Sequence, residues 1–113
     1  DYPKAVDLYR KSLEVVPVGQ MPDIQFKLAE TKETEGKIPE AIEEYLKVTY
    51  LYADNNNLVV KSLLRVAQIY EDKEDFKEAA NIYKRISSLD VQEARYAQER
   101  IDWIKANIKK EIR

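Results

Sequence analysis

The chain contains no cysteine and no histidine. Without thiols there is no disulfide and no thiolate metal site. Without imidazole the commonest general base and metal ligand is missing. The lack of cysteine fits reducing and oxidising compartments equally well, so it does not place the protein in either. Glycine and proline are scarce, at 2 and 4 of 113 residues. That leaves no glycine-rich loop to cradle a phosphate, and few points at which a helix must stop. No apolar run approaches the roughly 20 residues that span a bilayer or the pattern of a signal peptide. Neither sign of charge dominates, with 19 basic against 21 acidic residues and a net charge of −2. Such a balance argues against a surface dedicated to nucleic acid or to anionic lipid. The basic stretch from Lys105 to Arg113 falls where a last helix should end, where cations complement the helix dipole.

What is present is a repeated amphipathic pattern. With 44% hydrophobic and 35% charged residues, the chain has the composition of one folded domain with a modest core. Three stretches nearly coincide: DYPKAVDLYRKS from Asp1, KIPEAIEEYLKV from Lys37 and DFKEAANIYKRI from Asp75. They align alanines 5, 41 and 79 and tyrosines 9, 45 and 83, so the alanines recur after 36 and then 38 positions. A small residue four before an aromatic, at a period in this range, indicates stacked helical hairpins.

Six helices follow from the pattern, with no strand signal. Helix one is expected over about Tyr2 to Val16, capped by Asp1 with Pro3 in its first turn. Its buried stripe should be Ala5, Leu8, Tyr9, Ser12, Leu13 and Val16. PVGQMP (17–22) reads as a loop. Helix two, Asp23 to Glu35, should bury Ile24, Leu28 and Thr31 beside Ala29 and end at Gly36. Helix three, Pro39 to Tyr52, should bury Ala41, Ile42, Tyr45, Val48, Thr49 and Tyr52, before the turn ADNNN (53–57). Helix four, Leu58 to Glu71, has core candidates Leu63, Val66, Ala67 and Tyr70. Helix five carries Phe76, Ala79, Ala80, Ile82, Tyr83 and Ile86, with Asp75 and Glu78 spaced as a capping box. Asp90 and Glu93 repeat that spacing ahead of helix six, about Val91 to Ile112, striped by Ala94, Ala97, Ile101, Ile104, Ile108 and Ile112.

In this register the chain resembles the tetratricopeptide repeat. One repeat runs through Leu28, Ala29, Lys32, Ala41, Tyr45, Val48 and Ala53. The next runs through Val66, Ala67, Tyr70, Ala79, Tyr83, Ile86 and Val91, and Ala5, Tyr9, Ser12 and Pro17 form an opening half-repeat. The resemblance covers about 90 residues. It departs at Gln25 and Leu63, which hold the tryptophan-like position, at Lys32, where an aromatic is common, and at Ala53 and Val91 in place of proline. It implies an all-α, right-handed superhelical array of antiparallel hairpins with a long C-terminal helix. The expected partition is residues 1–17 (second helix of a truncated repeat), 22–53 and 58–90 (repeats) and 91–113 (capping helix), within a longer protein. A narrower likeness, over Leu51 to Ala79, is to bacterial envelope repeat proteins such as the Tol-Pal-associated and outer-membrane-assembly types. It implies a bacterial setting with a lean towards the periplasm.

The family likeness implies a non-enzymatic scaffold that holds a partner protein or peptide in a concave groove lined by the first helix of each hairpin. The groove residues are then Asp23, Phe26, Glu30 and Glu33 on helix two and Lys61, Leu64, Arg65 and Gln68 on helix four. Phe26 lies off the buried stripe, so it is either a binding anchor or packed against helix one or an upstream helix. The carboxylate clamp of chaperone-binding relatives is absent, since Phe26, Glu30, Leu64 and Gln68 occupy its positions. Tyr96 and Trp103, seven apart on helix six and nearly opposite its isoleucine stripe, form a second candidate contact face. The other reading covers them with Glu99 and Arg100. Self-association through the open first repeat or helix six is the alternative role. No cofactor or metal is expected: acidic pairs such as Glu30/Glu33 and Glu43/Glu44 are ordinary on solvated helices, and DNNN lacks the spacing of a calcium loop.

Overall fold

Six α-helices dominate the described residues, with no strand among them: α1 Tyr2–Val15, α2 Met21–Thr34, α3 Ile38–Leu51, α4 Asn56–Asp72, α5 Phe76–Ser87 and α6 Ala94–Glu111, and a short 3-10 helix, Val18–Gln20, lies in the stretch expected as a loop. The computed structural model describes residues 2–15 and 18–111, leaving aside the side chains at 13–15, 18 and 109–111. The expected cap Asp1 and the stripe positions Leu13, Val16 and Ile112 therefore lie outside the described residues or side chains. The chain divides into two units, residues 1–62 and 63–113, with the division inside α4.

In the first unit α1 packs on α2 and α2 on α3. The repeat alanines make the close crossings possible: Ala29 and Ala41 are wholly enclosed, with Leu28, Tyr45 and Val48 beside them. Helix two starts earlier than expected, because Pro22 fits its first turn, where a missing N–H leaves no bond unmade. Its end is a Schellman turn: the Lys37 N–H donates to the Lys32 carbonyl (3.0 Å) and the Gly36 N–H to the Glu33 carbonyl (3.0 Å). Gly36 sits at φ +88°, a conformation that favours glycine. The stripe expected on α1 is displaced. Val6 is buried, whereas Leu8 is 65% exposed, and Ala5, Tyr9 and Ser12 are half-buried.

The second unit repeats the hairpin. Ala67, Ala79, Val66, Tyr83 and Ile86 are fully buried, and α6 closes on α5 through Ala97, Ile101 and Ile104. Helix four begins at Asn56 rather than Leu58, because the Asn55 side chain accepts the Leu58 N–H (3.1 Å) and caps it. The expected capping box of α5 does not form: Asp75 stands at the N-cap without a side-chain bond. The Asp75 N–H is instead used by a second Schellman turn, donating to the Tyr70 carbonyl (2.8 Å) while the Glu74 N–H donates to that of Glu71 (2.9 Å). Glu74 thus takes the place that Gly36 holds in the first hairpin, at φ +62°. Residues 88–93 are turn, so α6 opens at Ala94 and not at Val91.

Candidate partner-binding surfaces

Helix α2 buries Gln25, Leu28, Ala29 and Lys32, and two of these are the departures from the repeat pattern. Gln25 stands where a large aromatic is usual, and its amide reaches Glu44 on α3: Nε2 donates to Oε2 (2.6 Å) and to the Glu44 carbonyl (3.0 Å). The Glu44 side chain, only 6% exposed, is also paired with Lys47 (3.2 Å) and with Arg10 of α1 (3.5 Å). Lys32 lays its stem in the interface and extends its ammonium to Glu40 (2.9 Å). That hydrogen bond holds the exposed Glu40 carboxyl below its ordinary value. Polar pairs have replaced aromatic packing at both positions.

The expected groove residues of α2 separate into two kinds. Asp23 and Glu30 are exposed. Glu30 lines a hollow of about 440 Å³ between α1 and α2 with Tyr2, Tyr9, Lys27 and Thr34. Phe26 is half-buried and meets Tyr45 edge to face, ring centres 5.5 Å apart at 63°. Its packing partner is α3, not α1. Glu33 accepts the Tyr45 hydroxyl proton (2.7 Å) and so belongs to the same α2–α3 seam. On α4, Lys61 is exposed and falls in the first unit. Leu64, Arg65 and Gln68 fall in the second, where Leu64 is half-buried and the Arg65 guanidinium donates to the Gln68 amide oxygen (2.7 Å).

The two aromatics of α6 do not stand opposite its apolar stripe. Each precedes a buried stripe residue by one position, about 100° around the helix, and leans on α5. Tyr96 meets Tyr83 edge-on at 6.2 Å, and Trp103 is tilted against Phe76 at 6.1 Å. They remain 43% and 45% exposed. Arg100, between them, lies over the Trp103 ring at 4.7 Å and binds Glu71 of α4 through two parallel bonds, Nε–Oε1 2.9 Å and Nη2–Oε2 2.8 Å. Burial pushes the Glu71 carboxyl up, but its bonds to Arg100, with the nearby Tyr83 hydroxyl and the Arg100 charge, outweigh this and hold it below the ordinary carboxylate value. Burial, with the Glu71 charge beside it, holds the Tyr83 phenol far above its own. The enclosed Tyr83 hydroxyl has no well-aligned hydrogen-bond partner.

A groove between α5 and α6, about 440 Å³ in volume, was not anticipated. Phe76, Ala80, Ile104 and Ile108 are its apolar lining residues, and Lys77, Lys84 and Lys105 are among the others. The sequence assigned those apolar positions to the core. Phe76, Ala80 and Ile108 are in fact half-buried, at the margins of their stripes. No group of acidic side chains among the described residues is arranged to hold a metal ion, and no helix among them is long and apolar enough to cross a membrane.

Against known proteins, residues 2–98 match the sequence model of the soluble NSF attachment protein (SNAP) family, a TPR-like helical-repeat family of protein-binding, non-enzymatic adaptors. No curated protein matches the chain. The match supports the helical-repeat resemblance but does not extend to the narrower envelope-type likeness.

Proposed function

The chain belongs to the soluble NSF attachment protein family, and from that premise we propose that it is a non-enzymatic adaptor module that holds a partner protein through side chains on the first helices of its hairpins. On α2 these are Asp23, Phe26 and Glu30, with Glu33 bracing the seam. On α4 they are Lys61, Leu64, Arg65 and Gln68. The observation that carries the reading is Phe26. Its ring is half-exposed yet fixed edge-on against Tyr45, so little freedom remains to be lost when a partner covers it. A rigid aromatic among charged neighbours is the usual form of a binding hot spot.

The family's name specifies attachment to NSF, which makes NSF the first partner to test. Immobilised chain should retain NSF. The double variant Phe26→Ala/Leu64→Ala should weaken retention by about tenfold or more while its circular dichroism stays unchanged. Unchanged retention by a folded double variant would move the site off α2 and α4. A second reading, self-association, draws on Leu8, whose outward position leaves a large apolar side chain in solvent. Sedimentation across a wide concentration range should then show a dimer that Leu8→Lys dissolves.

A further inference from the structure

The geometry points to a second binding surface, the α5–α6 groove, whose occupant is a short amphipathic helix of a partner protein with acidic flanks. Its apolar lining is Phe76, Ala80, Ile104 and Ile108, and Ala80, the smallest of them, follows Phe76 by about one turn of α5. From Phe76 to Lys84 the groove follows α5 for about 12 Å, two helical turns. That length suits the i, i+3 or i+4, and i+7 side chains of one helix face. The remaining lining residues are Lys77, Lys84, Lys105 and Asn81, and no carboxylate is among them. Three cations around an apolar floor select carboxylates flanking an apolar stripe.

Other occupants fit less well. A second copy docking by the same groove would set lysine against lysine. An anionic bilayer takes apolar groups that protrude, whereas these are recessed between two helices. The surface is separate from the side chains proposed on α2 and α4. It rests on the general protein-binding reading but not on NSF as the partner, so either test can fail without the other.

Trp103, the only tryptophan, lies against Phe76, itself a lining residue of the groove, and serves as the reporter. The whole chain is titrated with a tryptophan-free helical peptide of about 16 residues carrying leucines at that spacing and glutamates on both flanks. We expect a saturable change in Trp103 emission. Affinity should fall by about tenfold or more when salt rises from about 0.05 to about 0.5 M. Lys77→Glu/Lys84→Glu/Lys105→Glu should cause a similar loss and transfer the preference to a lysine-flanked peptide. Ala80→Leu, which fills the floor, should abolish binding with the helix content intact. Ala80→Ser, which leaves the groove open, should still bind and guards against misfolding of the larger variant. The proposal is overturned if acidic and basic peptides bind the unaltered chain equally, if neither gives a saturable signal, or if anionic vesicles shift Trp103 while the acidic peptide does not.

Discussion

Arg100→Met isolates an ion pair that ties α4 to α6. Methionine keeps most of the apolar stem and removes the guanidinium, which is the part that lies over Trp103. Each of the two parallel bonds to Glu71 is charge-assisted. Side-chain exposures of 26% and 18% for Arg100 and Glu71 put the pair between a solvated surface bridge, at about 0–1 kcal/mol, and a buried one, whose disruption costs about 3–5 kcal/mol. Discounted for that residual solvent, the loss is about 2 kcal/mol, to which the contact over Trp103 adds about 0.5 kcal/mol. For a chain of this size the melting temperature should fall by about 10 °C at neutral pH. The pH dependence is the sharper test. Glu71 titrates below its ordinary value in the folded state, so its pairing stabilises above the unfolded pKa of about 4.3 and is lost as pH falls through the lower folded value. The gap between native protein and variant should therefore be full at pH 7 and close steadily below about pH 4. Urea melts at a series of pH values would measure it. A gap under about 0.5 kcal/mol at pH 7, or one unchanged at pH 3, would refute this account of the pair.

Three further outcomes follow from particular side chains. Glu74→Gly relieves a left-handed conformation that opposes a β-carbon by about 1–2 kcal/mol, less the chain entropy glycine adds to the unfolded state. Thermal melts should show a net gain of about 0.5–1 kcal/mol, and a loss would contradict it. Gln25→Leu keeps volume but strips Glu44 of its closest donor. It should destabilise by about 1–3 kcal/mol in urea, whereas adding Glu44→Leu should recover most of the loss, because an apolar pair leaves no carboxylate buried. Tyr83→Phe deletes an enclosed hydroxyl that has no well-aligned partner and should be neutral or stabilising at pH 7. Above the free-tyrosine value of about pH 10, the native protein should lose stability as the unfolded chain ionises and the folded phenol resists; the phenylalanine variant should lose less.

Much of the fold could be read from the sequence because one constraint recurs: two helices approach closely only over a small residue, and the next turn supplies a ring to fill the adjoining space. Ala41 with Tyr45 and Ala79 with Tyr83 satisfy it with almost no surface left exposed. Helix ends were harder to place, since they depend on which of several nearby groups captures a free N–H. Asn55 rather than the following residues caps α4, and the Asp75 N–H is taken by a Schellman turn while its side chain caps nothing. Glu74 carried no signal, because a left-handed glutamate is held by the turn around it and not by its own preference. Helix one was misread for a different reason. A stripe drawn from periodicity assumes a neighbour on that side, and the buried Val6 with the exposed Leu8 shows α1 rotated from that stripe.

The departures from the repeat pattern carry more about the surfaces than the agreements do. Gln25 and Lys32 looked like weak matches taken singly. Together with Glu44 and Glu40 they are two polar pairs in the same α2–α3 interface, a relation between residues 19 and 8 positions apart that no single-position pattern registers. The same holds on α6. Tyr96 and Trp103 were recognisable as exposed aromatics, but their direction was not, because a 100° step separates a residue facing solvent from one leaning on the adjacent helix. That lean places Trp103 beside Phe76, which lines the groove between α5 and α6. The lysines at 77, 84 and 105 had been indistinguishable from any solvated helix face. Only the pairing of α5 with α6 gathers them around one apolar floor, which turns three ordinary surface charges into a criterion for what can bind there.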